Sequence, residues 1–162
     1  MKRIVVLTAV LLLSCGLLFA QAAKSGVDIK KDELLCSYGQ GSPEEVSFFV
    51  GKVLKPASAD TKNQAQVIYV KDGSKAWVDY VIASHKAKKD EILVDALVFY
   101  PGGWEEYNDM SLDDYRKAGW YAGRITSTDE MFKDLVEIGG HKFNWKLIRV
   151  PDDPASLEPK SE

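Results

Sequence analysis

For metal or nucleophilic chemistry the chain offers two histidines, His85 and His141, and two cysteines, Cys15 and Cys36. Both histidines stand beside lysines on what read as exposed turns, and neither has a zinc-ligand spacing to the other or to Cys36. A Cys36–His dyad is the nucleophilic arrangement to consider. Cys36, however, falls in a segment expected to be mobile, where the positioning that catalysis requires is missing. Gly102-Gly103 and Gly139-Gly140 read as turns, not as strand-to-helix phosphate cradles. The acids between Asp109 and Asp114 lack the turn Gly and the closing Glu of a calcium loop. No catalytic residue, metal ligand or cofactor is therefore assigned. What remains is the chemistry of recognition. Trp104, Glu105, Tyr107, Asp113, Tyr115 and Trp120 gather rings and carboxylates in one stretch, and a ring face with anions beside it attracts a cation. The competing expectation is that these rings cover the end of a β-structure and fill its core.

The elements that must hold such a loop follow a leader. Met1-Lys2-Arg3 is basic, Ile4 to Phe19 is largely apolar, and Ala20-Gln21-Ala22 offers small residues at cleavage positions. This pattern predicts a signal peptide over 1–22 and an exported chain, periplasmic or extracellular. Leu12-Leu13-Ser14-Cys15-Gly16 carries the alternative, lipidation at Cys15 and an envelope anchor, although the apolar Leu17-Leu18-Phe19 that follows is unlike a lipoprotein start. Nothing later in the sequence is apolar for long enough to suggest a membrane span. Losing Lys2 and Arg3 takes the formal charge from −3 to about −5, which argues against nucleic acid as a partner. Cys36 would then be the only thiol left, to be buried as a small apolar group or paired between molecules.

Two stretches repeat one pattern. Phe48-Phe49-Val50-Gly51-Lys52-Val53 is matched by Trp120-Tyr121-Ala122-Gly123-Arg124-Ile125. Each is followed by a short apolar strand, a Gly turn and a strand with Trp near its start. β-Branched and aromatic enrichment predicts strands over 46–54, 65–70, 76–84, 91–101, 120–126, 135–138 and 142–150. Hairpin turns are expected at Lys71-Asp72-Gly73-Ser74 and Gly139-Gly140. Ser111 and the following acids predict a short helix over 112–117, and Ser127 to Glu130 a helical turn through Met131 and Phe132. Trp77 and Trp145 are placed at equivalent points of the two copies and expected in the core. Asp32 to Cys36 reads equally as a helical turn or a short strand.

In this order of strands, with Trp120-Tyr121-Ala122-Gly123-Arg124-Ile125 as its clearest segment, the chain resembles the SH3-like barrel group, and its Tudor-like branch in particular. Val94 to Val150 matches a whole unit. Phe48 to Ile82 matches the last three strands, the first being absent or supplied by the arm near Cys36. The resemblance implies a mainly β protein of two tandem SH3-like barrels or half-barrels with one short helix in a long loop. Its division would be a polar arm over 23–45, units over 46–90 and 91–151, and a disordered tail over 152–162. In Tudor-like modules rings near the first loop cage a methylated cation; Trp104, Tyr107, Tyr115 and Trp120 would be the matching positions here. Fold alone does not fix function. The function expected is a non-enzymatic binding or scaffolding module of a bacterial cell envelope, contacting a protein, peptide or cell-wall fragment through this aromatic and acidic loop. A structural subunit of an envelope assembly and a cryptic hydrolase are the alternatives.

Overall fold

The computed structural model describes residues 29–102 and 112–157, so the leader with Cys15, the loop over 103–111 and the last five residues lie outside the described residues. The chain is mainly β. Its strands are β1 (Leu34–Tyr38), β2 (Ser47–Lys55), β3 (Ala65–Tyr69), β4 (Lys75–Val78), β5 (Val81–Ile82) and β6 (Ser84–Lys86), then β7 (Leu97–Pro101), β8 (Trp120–Ser127), β9 (Leu135–Ile138), β10 (His141–Asn144) and β11 (Arg149–Pro151). The α-helix α1 (Leu112–Lys117) precedes β8. Among the described residues no helix is long and apolar enough to cross a membrane.

Every pairing is antiparallel, and one pattern of pairing occurs twice. β1 pairs with β2 and β5, β2 with β3, and β3 with β4. β7 pairs with β8 and β11, β8 with β9, and β9 with β10. Gly51 faces Leu34 and Gly123 faces Val98 at matching places. The ladder then slips between Val53 and Lys55 in one set and between Ile125 and Ser127 in the other, at the same offset from the glycine. Each slip is a β-bulge of the kind that bends a strand. The glycines are required by close approach. A Cβ on Gly51 would lie 2.9 Å from Cys36 Sγ and 3.0 Å from the Ile68 carbonyl oxygen, and one on Gly123 would lie 2.8 Å from Ile138 Cγ2. The two sets meet where β2 pairs with β8, Phe48 opposite Trp120. These two residues each stand three places before their glycine, so equivalent residues pair with one another.

Alternation along the strands separates three cores. Leu34, Cys36, Ala65, Val67, Tyr69 and Val78 pack within the first set. Val98, Ile125, Val136, Ile138, Phe143 and Ile148 pack within the second. The opposite faces of β1, β2, β7 and β8 supply Leu35, Phe48, Val50, Phe99, Trp120 and Ala122 to a third core shared by both.

Several expectations are corrected. The strand expected over 76–84 is broken, because the Tyr80 amide donates to Ser37 Oγ (3.2 Å) and its carbonyl accepts from the Ser37 amide (3.0 Å), which turns the chain away from β3 and onto β1. The strand expected over 142–150 is broken by a 3₁₀ turn, Trp145–Leu147, whose cap is the Asn144 side chain accepting from the Lys146 amide (3.0 Å). The strand expected over 91–101 begins only at Leu97, since Asp95 takes a left-handed φ of 68° and its amide is bonded to the Ile125 carbonyl. The polar arm contains β1, with Cys36 fully buried at the centre of a sheet; burial, not mobility, describes that segment. The tail expected to be disordered from residue 152 forms a 3₁₀ turn, Pro154–Leu157, and Leu157 is buried in the shared core. Trp77 is 42% exposed, not core. Nor do the two Trp correspond. Val78 and Phe143 take the equivalent register positions, so Trp145 matches Tyr80, and each of these packs partly buried against a core.

Candidate functional site

At one end of the first set, β1, β2 and β3 each contribute a ring from the same face: Tyr38, Phe49 and Tyr69. Period-2 alternation puts Tyr38 in line with Leu34 and Cys36, Phe49 with Gly51, and Tyr69 with Ala65 and Val67. The rings meet edge to face, with centres 5.4 Å apart for Tyr38–Phe49, 5.9 Å for Tyr38–Tyr69 and 6.1 Å for Phe49–Tyr69. Tyr69 is the floor. It is buried, its hydroxyl donates to the Ser37 carbonyl (2.6 Å), and burial pushes its phenol up to about 12. Tyr38 is the open wall, half exposed, and Phe49 is partly buried between them.

Lys71, on the hairpin after β3, folds back over this cluster. Its Nζ stands 3.5 Å from the centre of the Phe49 ring, 4.3 Å from Tyr38 and 5.7 Å from Tyr69. Each distance is within the range at which a ring face attracts a cation. Among the described residues no carboxylate pairs with this ammonium. The adjacent Asp72 is engaged by the Ser74 amide (2.9 Å) and hydroxyl (2.6 Å). Elsewhere Lys52, Lys142 and Lys146 bond to Asp32, Glu130 and Asp134. The second set lacks the cluster. Register places Gly102 where Tyr38 stands and Gly140 where Tyr69 stands, and only the Phe49 position keeps a ring, Tyr121.

The residues singled out from the sequence lie as follows. Trp104, Glu105 and Tyr107 are outside the described residues. Asp113 is on α1. Tyr115 and Trp120 are brought together, the Trp120 indole donating to the Tyr115 carbonyl (3.3 Å), but both side chains are buried in the shared core and face no solvent. The base of the loop is nevertheless beside the ring cluster. The Gly102 amide donates to the Gly119 carbonyl (2.8 Å), and a Cβ on Gly119 would lie 3.6 Å from the Phe49 ring. Sequence reasoning missed Tyr38, Phe49, Tyr69 and Lys71 as a group. The signal was the clustering of aromatics at strand ends, legible only once β1 is known to be a strand.

Cys36 does not suit nucleophilic chemistry. Burial pushes its thiol up to about 12, so it stays protonated near neutrality. His85 lies in β6, not on a turn. Its Nδ1 is 2.6 Å from Asp152 Oδ1 and its Nε2 is 2.9 Å from Glu91 Oε1. These bonds, that to Asp152 first, raise its pKa. Both ring nitrogens are thereby committed to carboxylates, and His85 joins β6 to the 3₁₀ turn Lys89–Glu91 and to the residue after β11. His141 is exposed at the start of β10. Among the described residues no three His, Cys, Asp or Glu side chains are arranged to hold a metal ion. Glu33 is buried and bonded through both carboxylate oxygens to Arg116, Nε to Oε2 at 3.0 Å, which ties α1 to the segment before β1. Burial pushes the Glu33 carboxyl up, but the Arg116 bonds and the Lys30 amide together hold it below the usual range.

No protein-family model, no curated protein and no solved structure matches the chain.

Proposed function

We propose that this protein is an exported, non-enzymatic binding module of a bacterial cell envelope, built from two SH3-like units, and that it holds its partner at the ring cluster of Tyr38, Phe49 and Tyr69. Export rests on the basic, apolar and small-residue succession of residues 1–22. The SH3-like reading is supported by the pairing pattern, in which a first strand joins a second and a fifth, and by its recurrence with glycine and bulge at matching places. The single observation that carries the binding reading is the convergence of three edge-to-face rings on one ammonium in one copy only. The other copy has the same strand pairing without those rings, so the fold does not require them. The partner's contacting group is therefore a cation, in keeping with the acidic charge of the chain.

The test compares capture of envelope proteins and cell-wall fragments by the wild-type chain and by Tyr38→Ala. Tyr38 is half exposed, so its loss leaves the cores intact. Any partner retained by the wild type should be lost from the variant, with unchanged circular dichroism. Equal capture by both would remove the ring cluster as the contact surface.

A further inference from the structure

Resting on that binding reading, we infer that Lys71 is the resident occupant of the site, an internal alkylammonium seated where the partner's alkylammonium goes, so that a ligand must displace it. Three features of the hairpin carry this. First, the Lys71 ammonium stands over three ring faces, and the carboxylate next in sequence, which attracts it only through space, is hydrogen-bonded to Ser74. Second, the hairpin that carries it is held by its own backbone. The Tyr69 amide donates to the Ser74 carbonyl (2.9 Å) and the Gly73 amide to the Tyr69 carbonyl (2.9 Å), with Gly73 at φ 72°. Lys71 can therefore leave by rotating its side chain, without unfolding the turn. Third, Asp72, Gly73 and Ser74 are exposed, so the hairpin that carries Lys71 borders solvent.

The ligand class follows from what the rings already hold. A quaternary or primary alkylammonium presents the charge and the methylene or methyl surface that ring faces favour. An internal competitor on a short tether acts at an effective concentration on the order of millimolar. A free amine below that level competes poorly. A partner that makes a second contact with the chain competes well. Lys71 thus sets a threshold that excludes stray cations and admits a partner making more than one contact. Apparent affinity falls by the fraction of molecules in which the site is open.

The probes are n-butylammonium and tetramethylammonium chlorides, added to the full exported chain at ionic strength matched with sodium chloride and followed by proton NMR of the aromatic rings. The proteins are wild type, Lys71→Ala and Lys71→Arg. Expected is binding to Lys71→Ala about tenfold tighter than to the wild type, with Lys71→Arg remaining as weak as the wild type because it keeps a cation on the tether. In the wild type the Lys71 Hε signals should start upfield, shielded by the rings, and move to exposed-lysine positions as the site fills. Equal affinity of wild type and Lys71→Ala, or Hε signals that stay in place at saturation, would overturn the occupancy inference while leaving the ring cluster as a binding surface. Ring signals that move in neither protein with either probe would overturn the binding reading itself. Which probe binds tighter distinguishes a quaternary head group from a primary amine.

Discussion

Gly51 is the residue on which the first set of strands turns. A side chain there meets a sulfur on one side and a backbone oxygen on the other, at 2.9 and 3.0 Å, and the backbone oxygen cannot move aside cheaply. Overpacking of this kind typically costs about 1–3 kcal/mol. Gly51→Ala should therefore lower stability by that amount in a urea titration, whereas Gly73→Ala, with open space around it, should be destabilised only through its left-handed φ. The repeat of Gly followed by Lys-Val or Arg-Ile was legible in the sequence, and its cause is this close approach. The roles of individual rings were less legible. Tyr115 and Trp120 lie in a stretch rich in acids, which suggested a surface, yet Trp120 is fully buried opposite Phe48. Lys71 read as a turn residue, because nothing in its own neighbours announces rings that come from three other segments.

At the scale of elements, the hairpins, α1 and the turn after β8 follow from local chemistry. Gly139 and Gly140 both take positive φ, 58° and 83°, the requirement of a two-residue hairpin turn. Apolar residues misled, since Val78 and Val81 beside Asp79-Tyr80, and Phe143 and Ile148 about Trp145-Lys146-Leu147, conceal the points where the chain leaves one partner strand for another. The ends are held by polar contacts that no periodicity announces, Glu33 with Arg116 and His85 with Asp152 and Glu91. The His85 contact has a pH dependence of definite sign. Its folded pKa is raised above the unfolded value of about 6.5. Its contribution is therefore complete below about 6.5 and is lost as pH rises through the folded pKa. Glu91, whose carboxyl is held low by the Lys88 amide first and then by His85, keeps its own contribution until the pH falls through that lowered pKa. Because the contact is over a third exposed, solvent screens it and the effect is small. The melting temperature of the wild type should exceed that of His85→Asn by about a degree at pH 6, and the gap should narrow as pH rises above 6.5. A gap that widens with pH would contradict the assignment.

For the whole molecule, the mainly β class was legible, because it lies in short-range alternation of β-branched and aromatic residues. The contact between the two sets of strands was not legible, since the pairing of β2 with β8 joins residues far apart in sequence and depends on which strand face is left uncovered. That contact explains why the two sets need not be alike at their ends. Their common core holds the sheet together, and each outer end is free to differ; one end carries three rings and the other two glycines and the single ring of Tyr121. The glycine segments common to both sets of strands thus belong to the scaffold, while the three rings occur in the first set alone. A cation should accordingly bind once per chain, at the rings of the first set of strands. The most direct test is amide-resolved NMR of the wild-type chain during addition of n-butylammonium. Expected are shifts confined to Tyr38, Phe49, Tyr69 and the 71–74 hairpin, with Tyr100, Tyr121 and Gly140 unmoved. Shifts centred on the second copy, or spread evenly over both, would contradict the assignment of the site.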